Sequence, residues 1–229
     1  MREIVLDTET TGLEISNGDR IVEIGCVELE NHVPTGRTFQ EYINPEMLMD
    51  EKVIKIHGIT NEFLKDKPTF KEIAEKFINF IGNDSKLVIH NATFDMKFLN
   101  AELKACHLPT LSYDRVIDTL LIARQKFPGS RVSLDDLCKR FHIDASARTV
   151  HGALLDSQLL AEVYLELIGR EPDLILSQTK NSSSIQIVNK EKVFHEPRLF
   201  PPSDEELANH QAFMKKIADN FWYNSEDKK

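Results

Sequence analysis

Five residues of this chain have the types and settings that could carry out chemistry. Four are acids and one is a histidine: Asp7, Glu9, Asp95, His151 and Asp156. Each acid takes a place where a buried apolar residue would ordinarily be found. Burying a charge is costly unless the charge is paired or bound to a metal. Oxygen ligands that converge on one place suit a hard divalent cation, so the sequence predicts a carboxylate metal site.

The first two acids follow a continuous apolar run, Ile4 to Leu6, that is typical of a central strand covered on both faces. Side chains alternate along a strand, so Asp7 and Glu9 should project from the same face. Two carboxylates side by side repel each other unless a cation lies between them. Taken alone, such a pair also fits a strand that simply runs out into solvent.

Asp95 and Asp156 each fall on the apolar stripe of a predicted helix. Apolar residues recur three, four and eight positions after Asp95, and three, four, seven and eleven positions after Asp156. An acid that interacts with a helix dipole would explain Asp95 equally well. His151 lies about 140° from Asp156 on an ideal helix, so the two can meet only if His151 precedes that helix. A histidine placed there is suited to moving a proton, although an ordinary loop histidine gives the same pattern.

The remaining pattern predicts the elements that position these residues. Strands are expected at residues 3–8, 21–29, 37–43 and 87–89, and loops at 12–19 and 31–36. Helices are expected after Pro68, where Thr69 and Glu72 form a capping box, and at residues 94–105, 118–126, 134–141 and 153–168. This order indicates an α/β protein with a sheet of mixed direction flanked by helices.

In their order and context, residues 7–12, 90–95 and 151–156 resemble the three motifs of the DEDDh exonuclease family. The four acids match the family's acids, and His151 matches the histidine that distinguishes this branch from the branch with tyrosine. The similarity covers residues 3 to 170. It implies the ribonuclease-H-like fold and a metal-dependent nuclease that acts on 3′ ends.

The resemblance also implies roles for the five residues. It implies two divalent cations about 4 Å apart, Mg²⁺ with Mn²⁺ as a substitute. Asp7 is expected to bridge both ions, Glu9 and Asp156 to complete the site beside the attacking water, and Asp95 to hold the second ion. His151 is expected to take the proton from the water, and the product would be a 5′-mononucleotide.

A further segment, residues 57–60, resembles the part of the family that lines the terminal-nucleotide pocket. By this resemblance, the expected substrate contacts are Glu9, Thr10, Lys52, His57 and Asp156. Thr10 is expected near the terminal 3′-hydroxyl. Without the resemblance, His57 would be interpreted as a turn residue and Lys52 as a surface charge.

Composition limits the class of protein. The 229 residues can form one full domain and an appendage. No apolar run reaches about 18 residues, so no membrane span is expected, and a strand beginning near Met1 leaves no room for a signal peptide. Cys26, Cys106 and Cys138 have no paired spacing, so we expect neither zinc nor a disulfide framework, and a reducing cytoplasm fits.

The formal net charge of −9 lies entirely in residues 1–177, because residues 178–229 contain eight basic and eight acidic residues. A protein that grips a long stretch of nucleic acid would be expected to carry a basic stripe. The charge suits an enzyme that holds only a strand end through metal ions. It predicts weak binding by the chain alone and dependence on a partner.

The C-terminal part predicts an appendage to residues 1–170, with a flexible linker at 171–202 and a tail helix at 203–229. Ser203 and Glu206 form a second capping box. The apolar stripe behind it consists of Leu207, Met214, Ile217, Ala218 and Phe221. A tethered helix has no core of its own, so a partner's groove is expected to cover this face. Packing back onto the first domain is the alternative.

Residues 203–210, together with the linker, resemble the proofreading epsilon subunits of bacterial DNA polymerase III. The resemblance implies that the tail binds the polymerase alpha subunit and that the domain acts on a DNA 3′ end, with a theta subunit as a possible second partner. Gln178-Thr179 lacks the apolar anchor of the family's clamp-binding segment, so a sliding-clamp contact is not expected there. The alternatives are a stand-alone DEDDh exoribonuclease and a catalytically silent scaffold.

Overall fold

The computed structural model of the chain describes residues 1–146, 148, 150–169 and 201–214. The chain divides into two compact units, Met1–Ser177 and Gln178–Lys229. Most of the predicted linker and the tail beyond Met214 therefore lie outside the described residues. The apolar residues Ile217, Ala218 and Phe221 of the predicted stripe are among them.

The first unit is built on a five-stranded sheet with the order β3-β2-β1-β4-β5. Its strands are β1 (Arg2–Thr10), β2 (Ile21–Glu30), β3 (Val33–Tyr42), β4 (Lys86–Ile89) and β5 (Val116–Asp118). β2 pairs antiparallel with both β1 and β3, whereas β4 runs parallel to both β1 and β5. The sheet is therefore mixed, as predicted.

Seven helices are described in the first unit and one in the second. They are α1 (Glu51–His57), α2 (Asn61–Leu64), α3 (Phe70–Ile81), α4 (Ala92–Ala105), α5 (Thr119–Lys126), α6 (Leu134–Phe141), α7 (Ala153–Ile168) and α8 (Asp204–Met214). Both predicted capping boxes are present, with the Thr69 amide 2.7 Å from Glu72 Oε2 and the Ser203 amide 2.8 Å from Glu206 Oε2.

Two features differ from the sequence prediction. The loop predicted at residues 31–36 is wrong beyond its first two residues, because β3 already begins at Val33. Asn31 and His32 make the turn alone, with positive φ angles of 52° and 69°. The strand predicted at residues 37–43 therefore begins four residues too late, because residues 33–38 are exposed on an edge strand and show no apolar alternation. The short elements β5, α1 and α2 were not predicted at all.

The two faces of β1 contact different helices. Ile4 and Leu6 belong to the core that includes residues of α3 and α4, whereas Val5 packs in a second cluster with Leu160 and Tyr164 of α7. Ile4, Val5 and Leu6 have no exposed surface, which confirms the prediction of a central strand covered on both faces. The carboxyl end of β1 therefore lies between α4 and α7, the two helices that carry the remaining acids.

Among the described residues, no helix has the length and apolar character needed to cross a lipid bilayer. The three cysteines carry free thiols, and those of Cys26 and Cys138 are buried.

Candidate active site

A cleft of about 200 Å³ opens at the carboxyl end of β1. Its lining includes all five residues that the sequence predicted: Asp7, Glu9, Asp95, His151 and Asp156. These side chains come from a strand, two helices and a loop that are far apart along the chain. The structure therefore brings the predicted residues together in one place.

Asp7 and Glu9 occupy the face of β1 that is directed towards α7. Glu3 identifies this face, because it lies on the same side of the strand as Asp7 and Glu9. Its carboxylate accepts a hydrogen bond of 2.8 Å from the Tyr164 hydroxyl on α7. Burial, together with the neighbouring acids Asp95 and Glu9, holds the pKa of Asp7 well above its usual range. Burial and then the charge of Asp156 raise the pKa of Glu9 to about 8. These carboxylates need either protons or a cation.

Asp95 lies in the first turn of α4 and is only 3% exposed, as its place on the apolar stripe predicted. Its Oδ1 accepts hydrogen bonds from the Thr8 amide at 3.1 Å and the Thr8 hydroxyl at 2.7 Å. Burial raises the pKa of Asp95 to about 7, although the bonds from Thr8 act in the opposite direction. Thr8 faces α4 while its neighbours Asp7 and Glu9 face α7, so β1 contributes residues to both sides of the cleft.

The start of α4 depends on a residue that the sequence did not single out. Asp118 accepts hydrogen bonds from the amides of Asn91 and Ala92, both at 3.2 Å, and from the Leu120 amide at 2.9 Å. One carboxylate therefore caps α4 and α5 together. Asn91 itself has a left-handed backbone with φ of 65°, which an asparagine tolerates. These contacts fix the turn from which Asp95 projects.

The start of α7, which carries Asp156, is held against β2. Glu23 Oε2 accepts a hydrogen bond of 3.1 Å from the Ala153 amide, and Ser157 Oγ donates one of 2.9 Å to the Gly25 carbonyl. A Cβ atom on Gly25 would lie 2.2 Å from the Ala153 carbonyl carbon, so only glycine permits this approach. Glu23 and Gly25 were missed because a single glutamate or glycine in a strand carries no pattern that points to a distant helix.

His151 precedes α7, as the angular argument predicted. Its Nδ1 lies 3.3 Å from Asp156 Oδ2, and its side chain is 47% exposed. The His151 amide donates a hydrogen bond of 3.2 Å to the Ile56 carbonyl on α1, which ties this loop to an element absent from the prediction. Arg148 from the same loop also contacts Asp156, at 2.6 Å, and it too was missed.

The other predicted substrate residues lie outside the lining of the cleft. Thr10 is buried and its hydroxyl donates to the Gly12 carbonyl at 2.6 Å. His57 is 3% exposed and ends α1, so it is not the simple turn residue that the sequence alone suggested. Burial lowers the pKa of His57, and its Nδ1 accepts a hydrogen bond of 3.0 Å from the Ile59 amide. Lys52 is exposed in the first turn of α1.

The donor set fits a divalent metal. Glu9, His151 and Asp156 each offer one ligand atom, and these atoms lie within 4.8 Å of one another. Asp7 and Asp95 add carboxylate oxygens to the same cleft. Burial is the first cause of the raised pKa values of Asp7, Glu9 and Asp95, and a divalent cation would favour the charged forms of these carboxylates.

The class of protein follows from the fold and from a family model. The model of the family described as Exonuclease matches residues 4–164. The solved nuclease domain of 3′hExo, a DEDDh family member bound to rAMP, is similar in fold, with a TM-score of 0.62 at 22% identity over 73% of this chain and 92% of that one. The protein is an exonuclease with the ribonuclease-H-like fold.

Curated relatives narrow the family. The chain is 50% identical over 225 residues to a DNA polymerase III subunit epsilon from Rickettsia felis, covering 95% of this chain and 97% of the relative. It is 43% identical over 229 residues to the protein of the same name from Escherichia coli, covering 94% of this chain and 93% of the relative. The chain belongs to the family of DNA polymerase III epsilon subunits, and the family resemblance in its sequence is thereby confirmed.

Proposed function

We propose that this chain is the 3′–5′ exodeoxyribonuclease that proofreads for a replicative DNA polymerase III, removing mispaired 3′-terminal nucleotides as 5′-mononucleotides. The convergence of four carboxylates and a histidine in one cleft carries the proposal. The names of the relatives support the link to the polymerase. A stand-alone exoribonuclease would use the same chemistry, but membership of the epsilon family favours DNA.

The four acids of the cleft, Asp7, Glu9, Asp95 and Asp156, are proposed to hold two divalent cations. Their oxygen donors favour Mg²⁺, with Mn²⁺ as a substitute. When bound, the ions offset the negative charge of the phosphodiester and lower the pKa of the attacking water. The charges of both Asp95 and Glu9 act on Asp7, which supports the proposal that Asp7 would contact both ions.

His151 is the proposed proton acceptor. Its Nδ1 lies 3.3 Å from Asp156 Oδ2, and its side chain is about half exposed, so the imidazole is accessible to solvent. A general base must reach the proton that it removes, and a half-exposed imidazole on a loop can do so. The contact with Asp156 orients the ring, as a carboxylate commonly does for a catalytic histidine.

The proposed substrate contacts are Glu9, Thr10, Lys52, His57 and Asp156. His57 supports this proposal because its Nε2 is buried and has no hydrogen-bond partner among the described residues. Buried polar atoms usually have partners, so this one is available to a ligand. A mispaired 3′ end costs less free energy to unpair, so it should enter the cleft more often than a paired end.

The proposed organisation is an exonuclease domain at residues 1–170, a linker at 171–202 and a tail at 203–229 that binds the polymerase alpha subunit. In the described part of the tail, Leu207 and Phe213 are 45% and 61% exposed. Exposed apolar residues on a helix suit a partner's groove. A theta-like subunit is a second proposed partner, whereas a clamp contact at Gln178 is not proposed.

The test is digestion of a primer–template with a matched or mismatched 3′ end in Mg²⁺, by wild type, His151→Ala and His107→Asn. We expect faster mononucleotide release from the mismatched end and a loss of about 10²-fold or more in His151→Ala, because general base catalysis contributes about 10²–10⁴-fold. His107 is an exposed histidine with φ of 58°, a conformation that asparagine accepts, so this control should keep full activity.

Two results would contradict the proposal. Activity confined to RNA would retain the nuclease site but remove the proofreading role. A folded wild-type protein without any activity in Mg²⁺ or Mn²⁺ would instead favour the catalytically silent scaffold.

A further inference from the structure

Arg148 lies among the acids of the cleft, with a side chain only 9% exposed. Its Nε is 2.5 Å from Asp156 Oδ1, and its Nη2 donates to Asp156 Oδ2 at 2.6 Å. The same Nη2 lies 2.7 Å from His151 Nδ1, and Nη1 pairs with Asp135. The guanidinium therefore engages both oxygens of one proposed metal ligand and the proposed proton acceptor.

The charge of Arg148 acts on the whole cluster. A guanidinium stays protonated in proteins, so it brings a permanent positive charge to the acids. That charge lowers the pKa values of Asp7 and Glu9, in opposition to burial. In electrostatic terms, Arg148 does part of what a bound cation would do.

A metal ion and the Arg148 guanidinium compete for the same two carboxylate oxygens of Asp156. Each oxygen of Asp156 lies 2.5–2.6 Å from a guanidinium nitrogen. An ion bound to either oxygen, at about 2.1 Å for Mg²⁺, would lie within a few ångströms of a second cation. Two positive charges at such a distance in a partly buried cleft repel each other strongly.

We propose that Arg148 is an internal counter-ion that occupies Asp156 in the metal-free protein and is displaced from it when a divalent cation binds. Arg148 is thus a positioning residue: it keeps Asp156 and the His151 loop in place without metal, and it competes with metal for Asp156. This inference rests on the proposed metal site.

The contact with His151 adds a consequence. A guanidinium N–H can only donate, so Nδ1 of His151 must accept in this arrangement. A neutral imidazole that accepts at Nδ1 carries its proton on Nε2, which leaves Nε2 unable to take a proton from water. Displacement of Arg148 would allow Nδ1–H to donate to Asp156 instead, and Nε2 would become the acceptor.

Because Arg148 and the metal compete for Asp156, removing the Arg148 guanidinium must strengthen the binding of the metal. Such coupling between two sites is reciprocal and typically amounts to about 5–150-fold in affinity. We therefore expect Arg148→Gln to bind Mn²⁺ and Mg²⁺ about tenfold more tightly than wild type. Arg148→Lys, which keeps the charge but loses the planar guanidinium and its hydrogen bond to Asp156 Oδ2, should have an affinity between those of wild type and Arg148→Gln.

The experiment is calorimetric titration of the full-length chain with Mn²⁺ and with Mg²⁺, together with thermal unfolding in EDTA and in Mg²⁺. Arg140→Gln is the matched control, because it removes the same charge from an exposed arginine whose guanidinium lies 4.3 Å from the centre of the Phe127 ring. Arg148→Gln should lower the Tm in EDTA and show a larger rise in Tm with Mg²⁺ than wild type. Arg140→Gln should leave the metal affinity unchanged.

The outcomes separate this inference from the proposed function. Equal or weaker metal binding by Arg148→Gln, with wild type binding normally, overturns the inference alone. The same holds if Arg140→Gln tightens metal binding as much, because the effect would then be one of net charge. If neither wild type nor Arg148→Gln binds either ion, the proposed metal site fails and the inference fails with it.

Discussion

The first turn of α7 packs directly against Gly25 of β2, and Gly25→Ala tests whether this contact positions Asp156. A Cβ on Gly25 would lie 2.2 Å from the Ala153 carbonyl carbon and 2.2 Å from the Leu154 nitrogen. Both obstructing atoms belong to the backbone of the first turn of α7. No side-chain rotation can relieve the clash, so the start of the helix must move away from the sheet.

The size of the movement follows from ordinary contact distances. A Cβ contact begins at about 3.4 Å, so the first turn of α7 must retreat by about 1 Å or more. Overpacking of this kind costs about 1–3 kcal/mol, which for a unit of this size corresponds to a fall in Tm of roughly 2–12 °C. A misplacement of about 1 Å in a catalytic group can cost about 10²-fold in rate. We expect a loss of that order in kcat/KM.

The assay is Mg²⁺-dependent release of mononucleotides from a single-stranded 3′ end, measured as kcat/KM beside thermal unfolding. Gly36→Ala is the control, because Gly36 has φ of +82° and open space around it. It should lose about 1–2 kcal/mol through left-handed strain on β3, yet keep its activity. The control therefore separates a loss of stability from a displacement of Asp156.

A kcat/KM within about threefold of wild type for a folded Gly25→Ala protein would refute the reasoning. It would mean that α7 can shift from β2 without moving Asp156 relative to Asp7 and Glu9. An equal loss of activity in Gly36→Ala would also count against it, because general destabilisation would then explain both variants.

Two further predictions concern Glu23 and the acids of the cleft. Glu23→Ala should lower the free energy of unfolding in urea by about 1 kcal/mol or more, because it removes the acceptor that caps the Ala153 amide. Glu23→Gln keeps an acceptor and should lower it less; an equal loss in both variants would attribute the effect to charge. The folded-state pKa values of Asp95 and Glu9, about 7 and about 8, exceed their ordinary values of 3.8 and 4.5. Between the ordinary and the raised pKa of each acid, the metal-free folded protein binds more protons than the unfolded chain, so its stability falls as the pH rises through this range. A metal that replaces these protons should bind more tightly as pH rises; the gain in Tm with Mg²⁺ over EDTA should therefore grow from pH 5 to pH 8, and a flat difference would contradict the assignment.

Local patterns predicted much of the fold and most of the site. The bounds of α6 and α7 agree with the prediction, because both helices have apolar stripes in the sequence, Ser133 caps the start of α6, and Gly169 ends α7 with a left-handed backbone. Asp156 lies on the buried stripe of α7, and His151 lies before it, as helical geometry required. The five residues of the cleft were found because their chemistry stands out against an apolar setting.

What the sequence did not predict depends on contacts between distant segments. Arg148 pairs with Asp135 and Asp156, but nothing in its neighbourhood along the chain distinguishes it from a surface arginine. Glu23 caps a helix that begins 130 residues later. The strand β5 has three residues, too few to show a period, although Asp118 at its end caps two helices.

The pairing of β1 with β2 explains why these missed residues are placed where the site needs them. In this register Asp7 lies opposite Gly25, and Glu9 lies opposite Glu23. Opposite residues share a face, so β2 places Gly25, which has no side chain, beside Asp7, and it places Glu23, which caps α7, beside Glu9. A slip of one residue would pair Asp7 with Ile24 or Cys26, so either β2 would turn an apolar side chain towards α7 or β1 would turn both acids away from it. The arrangement of the cleft is therefore specified by β2 as much as by the acids of β1.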